Sequence, residues 1–348
     1  MDPNQGKKNL INKQGRQELV KYLNAEKFKR ITVSLYRYFN IKEPESLRDE
    51  LYEKFKELKV LGRIYLAKEG INAQINVPEF NWKKFKKLIS LYELTKEIPL
   101  KIAIEDDDKS FIKLKIKVKN KIVADGLDQN SFDTTNVGTH LTAKQWNEFI
   151  EQNKSVVVDV RNHYESEIGH FKSAILPESE TFKEELPKIL DLLTGKEDKK
   201  IMLYCTGGIR CEKASAYLKH HGFKDVNQLY GGIIDYARQV KKEKLANYFK
   251  GKNFVFDERL AERISDEIIS ECHQCGSPSD IHVNCLNKEC NLLFIQCKKC
   301  NKVMQNCCSK KCKEIISLPD SVQKGMRKEK HNFGSAKRFN KRKNKLKI

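Results

Sequence analysis

The sequence predicts an α+β domain, an α/β domain with a parallel sheet, and a small cysteine-rich segment that binds metal, in that order along the chain. Three observations predict them. Strand and helix patterns follow each other as β-α-β-β-α-β in the first third of the chain. Two continuous apolar runs in the middle third suit strands that are buried on both faces. Nine of the eleven cysteines fall between Cys272 and Cys312, and such clusters more often bind metal than form disulfides inside cells.

The chain has 348 residues, of which 39% are hydrophobic, so it can bury two or three domain cores. We expect six segments: an N-terminal extension (1–27), the α+β domain (28–125), a linker rich in turn formers (126–140), the α/β domain (141–248), the cysteine-rich segment (249–318) and a basic tail (319–348). No stretch approaches the roughly 20 apolar residues of a membrane helix, and the N-terminus has no apolar signal region. We therefore expect a cytoplasmic protein that does not associate with membranes.

The first domain has the element order of a ferredoxin-like fold. The predicted elements are a strand at 31–39, a helix opened by Pro44, two strands around the turn at 68–72, a helix at 79–92 and a last strand at 111–118. Proline is well tolerated in the first turn of a helix, where its missing N–H leaves no bond unmade.

The last predicted strand alternates apolar residues with Lys113, Lys115, Lys117 and Lys119. Alternation places all four lysines on the sheet face opposite to the core. This lysine row is a candidate contact for an RNA phosphate backbone, although an ordinary solvated sheet face has the same pattern. The tail is also basic: residues 321–348 contain eleven Lys or Arg and one Glu, and supply half of the formal charge of +20. Such a tail suits nucleic acid or serves solubility alone.

The second domain is predicted from the apolar runs at 155–160 and 200–204, with helices near 182–193, 212–221 and 233–249. Cys205 directly follows the second run, at a strand end where α/β sheets bind ligands. The loop continues through five further residues that form a candidate anion-binding loop: Thr206, Gly207, Gly208, Ile209 and Arg210.

This loop should favour the thiolate form of Cys205, which is the reactive form. Gly207 and Gly208 permit positive φ values, so backbone N–H groups can converge on the loop centre. The start of the next helix, expected near Glu212, adds partial positive charge, and Arg210 can clamp an anion. Cys211 either resolves a disulfide or persulfide on Cys205 or packs as a small apolar residue.

The cysteine spacing in the third segment predicts two tetrahedral zinc sites, because eight thiolates complete two such sites. An interleaved arrangement assigns one site to Cys272, Cys275, Cys297 and Cys300, and the other to Cys285, Cys290, Cys308 and Cys312. Cys307 is the alternative to Cys308, and His273 or His282 are substitute ligands. The segment has few apolar residues, so we expect metal to be needed for its folding.

The stretch CTGGIR (205–210) resembles the Cys-x4-Arg active-site loop of rhodanese domains, whereas tyrosine phosphatases have a loop one residue longer. The segments 159–177, with its Asp-Val-Arg and Gly-His, and 229–238, with its Gly-Gly, resemble further rhodanese motifs. Their order and spacing identify the α/β domain as a rhodanese domain.

Four stretches resemble the bacterial tRNA uridine hydroxylase family, also called the rhodanese-domain UPF0176 family: GRIYLAKEGINAQI (62–75), VGTHLTAKQW (137–146), YCTGGIRCEKASAYL (204–218) and CHQCGSPSDIHVNC (272–285). The resemblance spans about 28–315, and Ala73 departs from a frequent glycine. It implies tRNA as partner and formation of 5-hydroxyuridine at wobble position 34, with molecular oxygen as co-substrate and Cys205 as the essential cysteine.

From the position of Cys205 and the lack of a flavin, haem or other iron motif, we hypothesise that its thiolate adds to C6 of uracil and makes C5 electron-rich enough to meet oxygen. Two rivals remain at this point. One is a sulfurtransferase that carries a persulfide on Cys205, and the other is a non-catalytic RNA-binding adaptor.

Overall fold

The computed structural model describes residues 15–106, 108–127, 132–329 and 346. The predictions for 1–14, for the middle of the linker and for most of the basic tail lie outside the described residues. Within these ranges no helix is both long and apolar enough to cross a membrane.

The N-terminal domain contains the predicted β-α-β-β-α-β order, preceded by a helix and followed by a further strand. Its elements are α1 (Arg16–Ala25), β1 (Arg30–Tyr38), α2 (Pro44–Glu57), β2 (Leu61–Ala67), β3 (Gly70–Pro78), α3 (Trp82–Ser90), β4 (Lys101–Ile102) and β5 (Leu114–Val118). The five strands form one sheet in the order β4-β1-β3-β2-β5. Helices α2 and α3 cover one face, where Phe55, Phe85 and Ile64 belong to one buried core. The sheet's other face carries mainly polar side chains.

Two details of this sheet differ from the prediction. The strand that follows α3 and pairs with β1 is the two-residue β4, which was not predicted. The lysine-bearing strand β5 is therefore an additional strand, and it pairs in parallel with β2 at the opposite edge of the sheet. Strand β5 begins at Leu114 rather than at residue 111, because its partner β2 begins only at Leu61 and leaves the preceding residues without a pairing strand. Helix α3 begins at Trp82, after a 3-10 turn at Glu79–Asn81.

The second domain is the predicted α/β unit around a four-stranded parallel sheet in the order β6-β10-β9-β7. Its elements are β6 (Thr139–Leu141), α4 (Ala143–Glu151), β7 (Ser155–Asp159), α5 (His163–Ser166), β8 (Gly169–Phe171), α6 (Phe182–Leu193), β9 (Lys200–Tyr204), α7 (Ile209–His220), β10 (Asp225–Leu229) and α8 (Gly232–Glu243). Strand β9 is fully buried from Ile201 to Tyr204, which explains its continuous apolar run. Strand β6 already belongs to the sheet, so the linker ends at residue 138 rather than 140.

The C-terminal region begins as an extension of the second domain. Its elements are β11 (Phe249–Phe254), β12 (Ala261–Arg263), β13 (His282–Asn284), β14 (Leu293–Ile295), α9 (Lys298–Met304), α10 (Lys310–Ser317) and α11 (Asp320–Glu329). Strand β11 pairs with β8 and with β12 in a three-stranded sheet. The residues from 249 to about 265 therefore pack on the second domain, and only the part that follows is built around the cysteines. Helix α8 ends at Glu243, six residues earlier than predicted, and Lys244 follows in the left-handed conformation.

Candidate active site

Cys205 lies at the carboxyl end of β9, in a loop that curls around its sulfur. The Sγ atom accepts a hydrogen bond from the Gly208 N–H at 3.1 Å. Gly208 has a φ of 96° and directly precedes α7, which begins at Ile209 rather than near Glu212. Gly207 lies outside the left-handed region, so one glycine, not two, supplies the positive φ. The loop is also anchored at Gly232, where an added Cβ would lie 2.5 Å from the Cys205 carbonyl oxygen.

The environment of Cys205 favours its thiolate. Burial alone would raise the pKa of this thiol, but a hydrogen bond from Cys211, the charge of Arg210 and the N–H groups of Arg210 and Cys211 together lower it to about 5. Cys211 is fully buried, and its own pKa is raised well above the ordinary value, chiefly by burial. Cys211 thus stays protonated beside an ionised Cys205.

The low pKa predicts how Cys205 reacts with an alkylating reagent. The rate should be half-maximal near pH 5 and constant above about pH 7, because it follows the thiolate fraction. Mass spectrometry of the Cys205 peptide after brief iodoacetamide treatment measures this rate, and Cys205→Ala gives the background. A rate that still rises between about pH 8 and 9, as for an ordinary thiol, would contradict the thiolate assignment.

Arg210 does not point a free guanidinium at the loop. It forms a two-pronged ion pair with Glu165 of α5, with Nη1–Oε1 and Nη2–Oε2 distances of 2.5 and 2.8 Å. The Glu165 side chain is fully buried. Arg210 therefore contributes charge to Cys205 while its hydrogen-bonding fork is occupied, and an anion bound by the predicted clamp has to compete with Glu165.

Cys205 faces a cavity of about 500 Å³ between the domains, within the range of roughly 300–1,000 Å³ typical of ligand sites. The cavity is lined by the Cys205 loop, by residues 255–262 of the C-terminal region and by the polar face of the N-terminal sheet. The sheet contributes side chains from four strands: Thr32, Ser34, Tyr36, Arg63, Tyr65, Asn72, Gln74 and Lys101. This sheet face therefore forms one wall of the cavity that Cys205 faces.

Two tyrosines of β1 join this sheet face to the first turn of α7, directly after the Cys205 loop. The Tyr36 hydroxyl donates to Glu212 Oε1 at 3.2 Å, and the Tyr38 hydroxyl donates to the Ile209 carbonyl oxygen at 3.3 Å. This contact was not predicted from the sequence. The alternation of Thr32, Ser34 and Tyr36 with apolar residues in β1 indicates a polar sheet face. A sheet face exposed to solvent has the same alternation, so the contact with a second domain does not follow from it.

The lysine row lies at the sheet edge beside this cavity. Lys113, Lys115 and Lys119 are exposed and Lys117 is half-buried. In the register of β2 and β5, Lys115 stands opposite Arg63. The pKa of Lys115 is lowered by partial burial and by the neighbouring lysines and Arg63.

A second cavity adjoins the first along this edge. It measures about 450 Å³ and is lined in part by Lys113 and Lys115. Both cavities are bordered by Arg63, Tyr164, Phe256 and Asp257. Lys113, Lys115 and Arg63 thus line the second cavity, and Arg63 also lines the cavity that Cys205 faces.

Eight cysteines form two compact groups. Within each group the Sγ atoms lie within 4.8 Å of one another: Cys272, Cys275, Cys297 and Cys300 in the first, and Cys285, Cys290, Cys308 and Cys312 in the second. Four thiols at such distances suit a tetrahedral zinc ion.

The other candidate ligands lie outside both groups among the described residues. Cys307 is buried and its pKa is raised to about 11, mainly by burial. His273 pairs with Glu167 of the second domain at 2.9 Å. Burial lowers the pKa of His282 to about 3, which keeps this ring neutral.

The fold and this site define a rhodanese-type cysteine protein whose active-site loop is covered by an N-terminal domain and bordered by a C-terminal extension. Models of three families match the chain: the UPF0176 acylphosphatase like domain over residues 30–122, the Rhodanese-like domain over 142–239 and the Rhodanase C-terminal region over 250–313.

Curated relatives match nearly the whole chain, and each carries the name tRNA uridine(34) hydroxylase. The relative from Leptospira interrogans is 56% identical over 94% of this chain and 89% of its own length. Those from Photorhabdus laumondii and Yersinia pestis are 48% and 49% identical, over 97% and 96% of this chain and 96% and 94% of their own lengths. The chain belongs to the tRNA uridine(34) hydroxylase family.

Proposed function

We propose that this protein hydroxylates uridine 34 of tRNA to 5-hydroxyuridine, with molecular oxygen as co-substrate and Cys205 as the catalytic thiolate. The observation that carries the proposal is the 48–56% identity, over nearly full length, to relatives named for this activity. The site supports it, because a sulfur with a pKa of about 5 faces a cavity that can hold a base. We also propose a cytoplasmic location, because the tRNA substrate is found there.

The chemistry follows from the nucleophilicity of the thiolate. Addition of the Cys205 sulfur to C6 of uracil breaks the C5=C6 π bond and moves the electron pair onto C5 and O4. The electron-rich C5 then attacks oxygen. One oxygen atom stays on C5, and the other leaves as water at the expense of two electrons and two protons from an external reductant. Loss of the C5 proton and expulsion of the thiolate restore the aromatic base and the enzyme.

The wobble base suits this site because it lies in an unpaired loop and can be splayed into a pocket. Once the base is in the first cavity, we expect the neighbouring phosphates to lie close to the sheet edge, where the lysine row and Arg63 present positive charge. The basic tail offers further cations, although most of it lies outside the described residues.

Nucleoside analysis of tRNA distinguishes this function from persulfide transfer on the same cysteine. In a strain that lacks the gene, we expect 5-hydroxyuridine and its derivatives to disappear from position 34 while thiolated nucleosides remain. Supplying the wild-type gene should restore them. Loss of thiolated nucleosides with hydroxylation intact would instead favour a sulfurtransferase.

Removal of the lysine row should weaken tRNA binding and reduce its dependence on salt. Changing Lys113, Lys115, Lys117 and Lys119 to glutamine is expected to lower the slope of log K against log salt by about 0.7–0.9 for each phosphate that the protein no longer neutralises. Fluorescence anisotropy at several salt concentrations measures this slope. The matched control changes Lys83, Lys84, Lys86 and Lys87 of α3, which lie on the helical side of the sheet. Equal weakening of binding in both variants would refute a specific role for the row.

We also propose that the two cysteine groups each hold a structural zinc ion. Elemental analysis of the purified protein should give about two zinc per chain, and Cys297→Ser should lose about one of them and lower the Tm. Cys307→Ser is the matched control, because this buried cysteine lies outside both groups and should retain both ions. Zinc loss from the Cys307 variant equal to that from the Cys297 variant would contradict the assignment.

A further inference from the structure

Lys101 brings a cation from the N-terminal domain into the active-site cavity. It lies in the short edge strand β4, where it pairs in register with Ser34 of β1. A Cβ atom placed on Gly207 would lie 3.9 Å from Lys101 Cδ, so the side chain passes directly over the Cys205 loop. Its ammonium group stands 4.1 Å from the centre of the Tyr36 ring. Lys101 and Cys205 line the same cavity.

This ammonium group is buried, and it forms no ion pair with the residues that the structure describes. The residue is only 6% exposed. Among the described residues, no carboxylate lies within ion-pair distance of it, and it rests against the Tyr36 ring. Burial lowers the pKa of Lys101, and the acidic groups of Asp235, Cys205, Glu212 and Cys211 oppose this shift and favour the ammonium form. A buried cation with unused donors is costly for stability, and such a group in a cavity is available to a ligand that brings an acceptor.

Uracil brings such an acceptor. When a thiolate adds to C6, negative charge develops on O4, and an enzyme gains most from a donor that is already aimed at the place where this charge forms. The cation of Lys101, next to an aromatic ring and away from bulk water, matches this requirement. Arg210 of the rhodanese domain does not supply this hydrogen-bond donor, because its guanidinium group is paired with Glu165.

We propose that Lys101 is a catalytic residue whose ammonium group binds O4 of the target uracil and stabilises the enolate formed by addition of Cys205 to C6. This role rests on the proposed function. In this step the S–C6 bond forms, the C5=C6 π bond breaks, and its electron pair is delocalised over C5 and O4, where the ammonium group shares or transfers a proton. The step consumes no oxidant and precedes the reaction with oxygen.

The addition step can be measured without oxygen, because the enolate takes up a solvent proton at C5 and reversal of the addition then releases the original hydrogen. We expect wild-type protein to release tritium from an anticodon stem-loop that carries [5-³H]uridine at position 34. Lys101→Met should slow this release by at least about 100-fold. Lys101→Arg keeps the charge and should retain more activity than Lys101→Met. Lys87→Met, an exposed lysine on α3, is the matched control with wild-type exchange.

Two further measurements separate catalysis from a structural role. The Kd of Lys101→Met for the stem-loop should change by less than about threefold, far less than the rate. Its Tm should be equal to or higher than that of the wild type, because an uncompensated buried charge has been removed. Loss of exchange that merely parallels a loss of Tm or of binding would overturn the catalytic role.

The outcomes distinguish this proposal from the function on which it rests. If Lys101→Met releases tritium as fast as the wild type, the role of Lys101 is wrong and the proposed hydroxylation is unaffected. The proposal is also overturned if the wild-type protein forms 5-hydroxyuridine with oxygen but releases no tritium without it. If the wild type releases tritium in a Lys101-dependent way but never forms 5-hydroxyuridine with oxygen and a thiol reductant, the role of Lys101 in the addition is supported and the proposed overall reaction is wrong.

Discussion

Replacing Cys205 with alanine should lower the rate of 5-hydroxyuridine formation at position 34 by at least about 1000-fold, because the variant lacks the thiolate that forms the bond to C6. Binding of tRNA should change little, since the Cys205 sulfur is fully buried and contributes no charge to the basic edge of the sheet. Quantitative mass spectrometry of nucleosides after incubation of purified protein, tRNA, oxygen and a reductant measures the effect.

Cys211→Ser is the matched control for this prediction. Cys211 belongs to the same loop and is equally buried, and a serine hydroxyl keeps a hydrogen-bond donor beside Cys205. This variant should retain most of the activity, with a pKa of Cys205 somewhat above 5. If Cys211→Ser were as inactive as Cys205→Ala, the reaction would depend on both thiols, and a disulfide or persulfide mechanism would replace the one proposed.

Glu165→Gln should have the largest effect on stability among single changes near the site. Glu165 and Arg210 form a buried ion pair, and removal of one partner leaves a buried charge uncompensated, which costs about 3–5 kcal/mol. The change preserves the shape of the side chain, so altered packing contributes little. Urea unfolding at pH 7, analysed for the free energy of unfolding, measures the cost.

Glu185→Gln provides the comparison. Glu185 is also a fully buried carboxyl near Arg210, but neither of its oxygens has a hydrogen-bond partner in the part of the chain that the structure describes. Burial raises the pKa of Glu185 well above the ordinary value and so favours its neutral form. Exchange for a neutral amide should change the free energy of unfolding by less than about 1 kcal/mol. Equal destabilisation in the two variants would contradict the different charge states assigned to them.

The features that could be predicted from the sequence are those encoded by residues close together in the chain. The loop from Cys205 to Arg210 lies between an apolar strand and a helix, so its position at the sheet edge follows from local patterns. The cysteine pairs likewise show their grouping through spacing, and the alternation in β1 and β5 fixes which side chains face the core.

The contacts between distant segments could not be predicted. The alternation in β1 shows that Tyr36 leaves the core, but not that a second domain covers it. Strand β4 has two residues, which are too few for any periodic pattern, so the position of Lys101 in the cavity could not be predicted. The pairing of Arg210 with Glu165 joins segments 45 residues apart and depends on the placement of α5. Each of these features lies at the Cys205 loop or at the cavity that Cys205 faces, which is why the motif alone describes the site incompletely.

The most direct test of the mechanism is to capture the bond between Cys205 and the target base. An anticodon stem-loop with 5-fluorouridine at position 34 is a suitable probe, because fluorine makes C6 more electrophilic. After anaerobic incubation, rapid quenching and proteolysis, we expect a nucleotide attached through sulfur to the peptide that contains Cys205. A peptide without nucleotide, an adduct on another residue, or Cys205 recovered with one additional sulfur atom would contradict covalent addition by this thiolate.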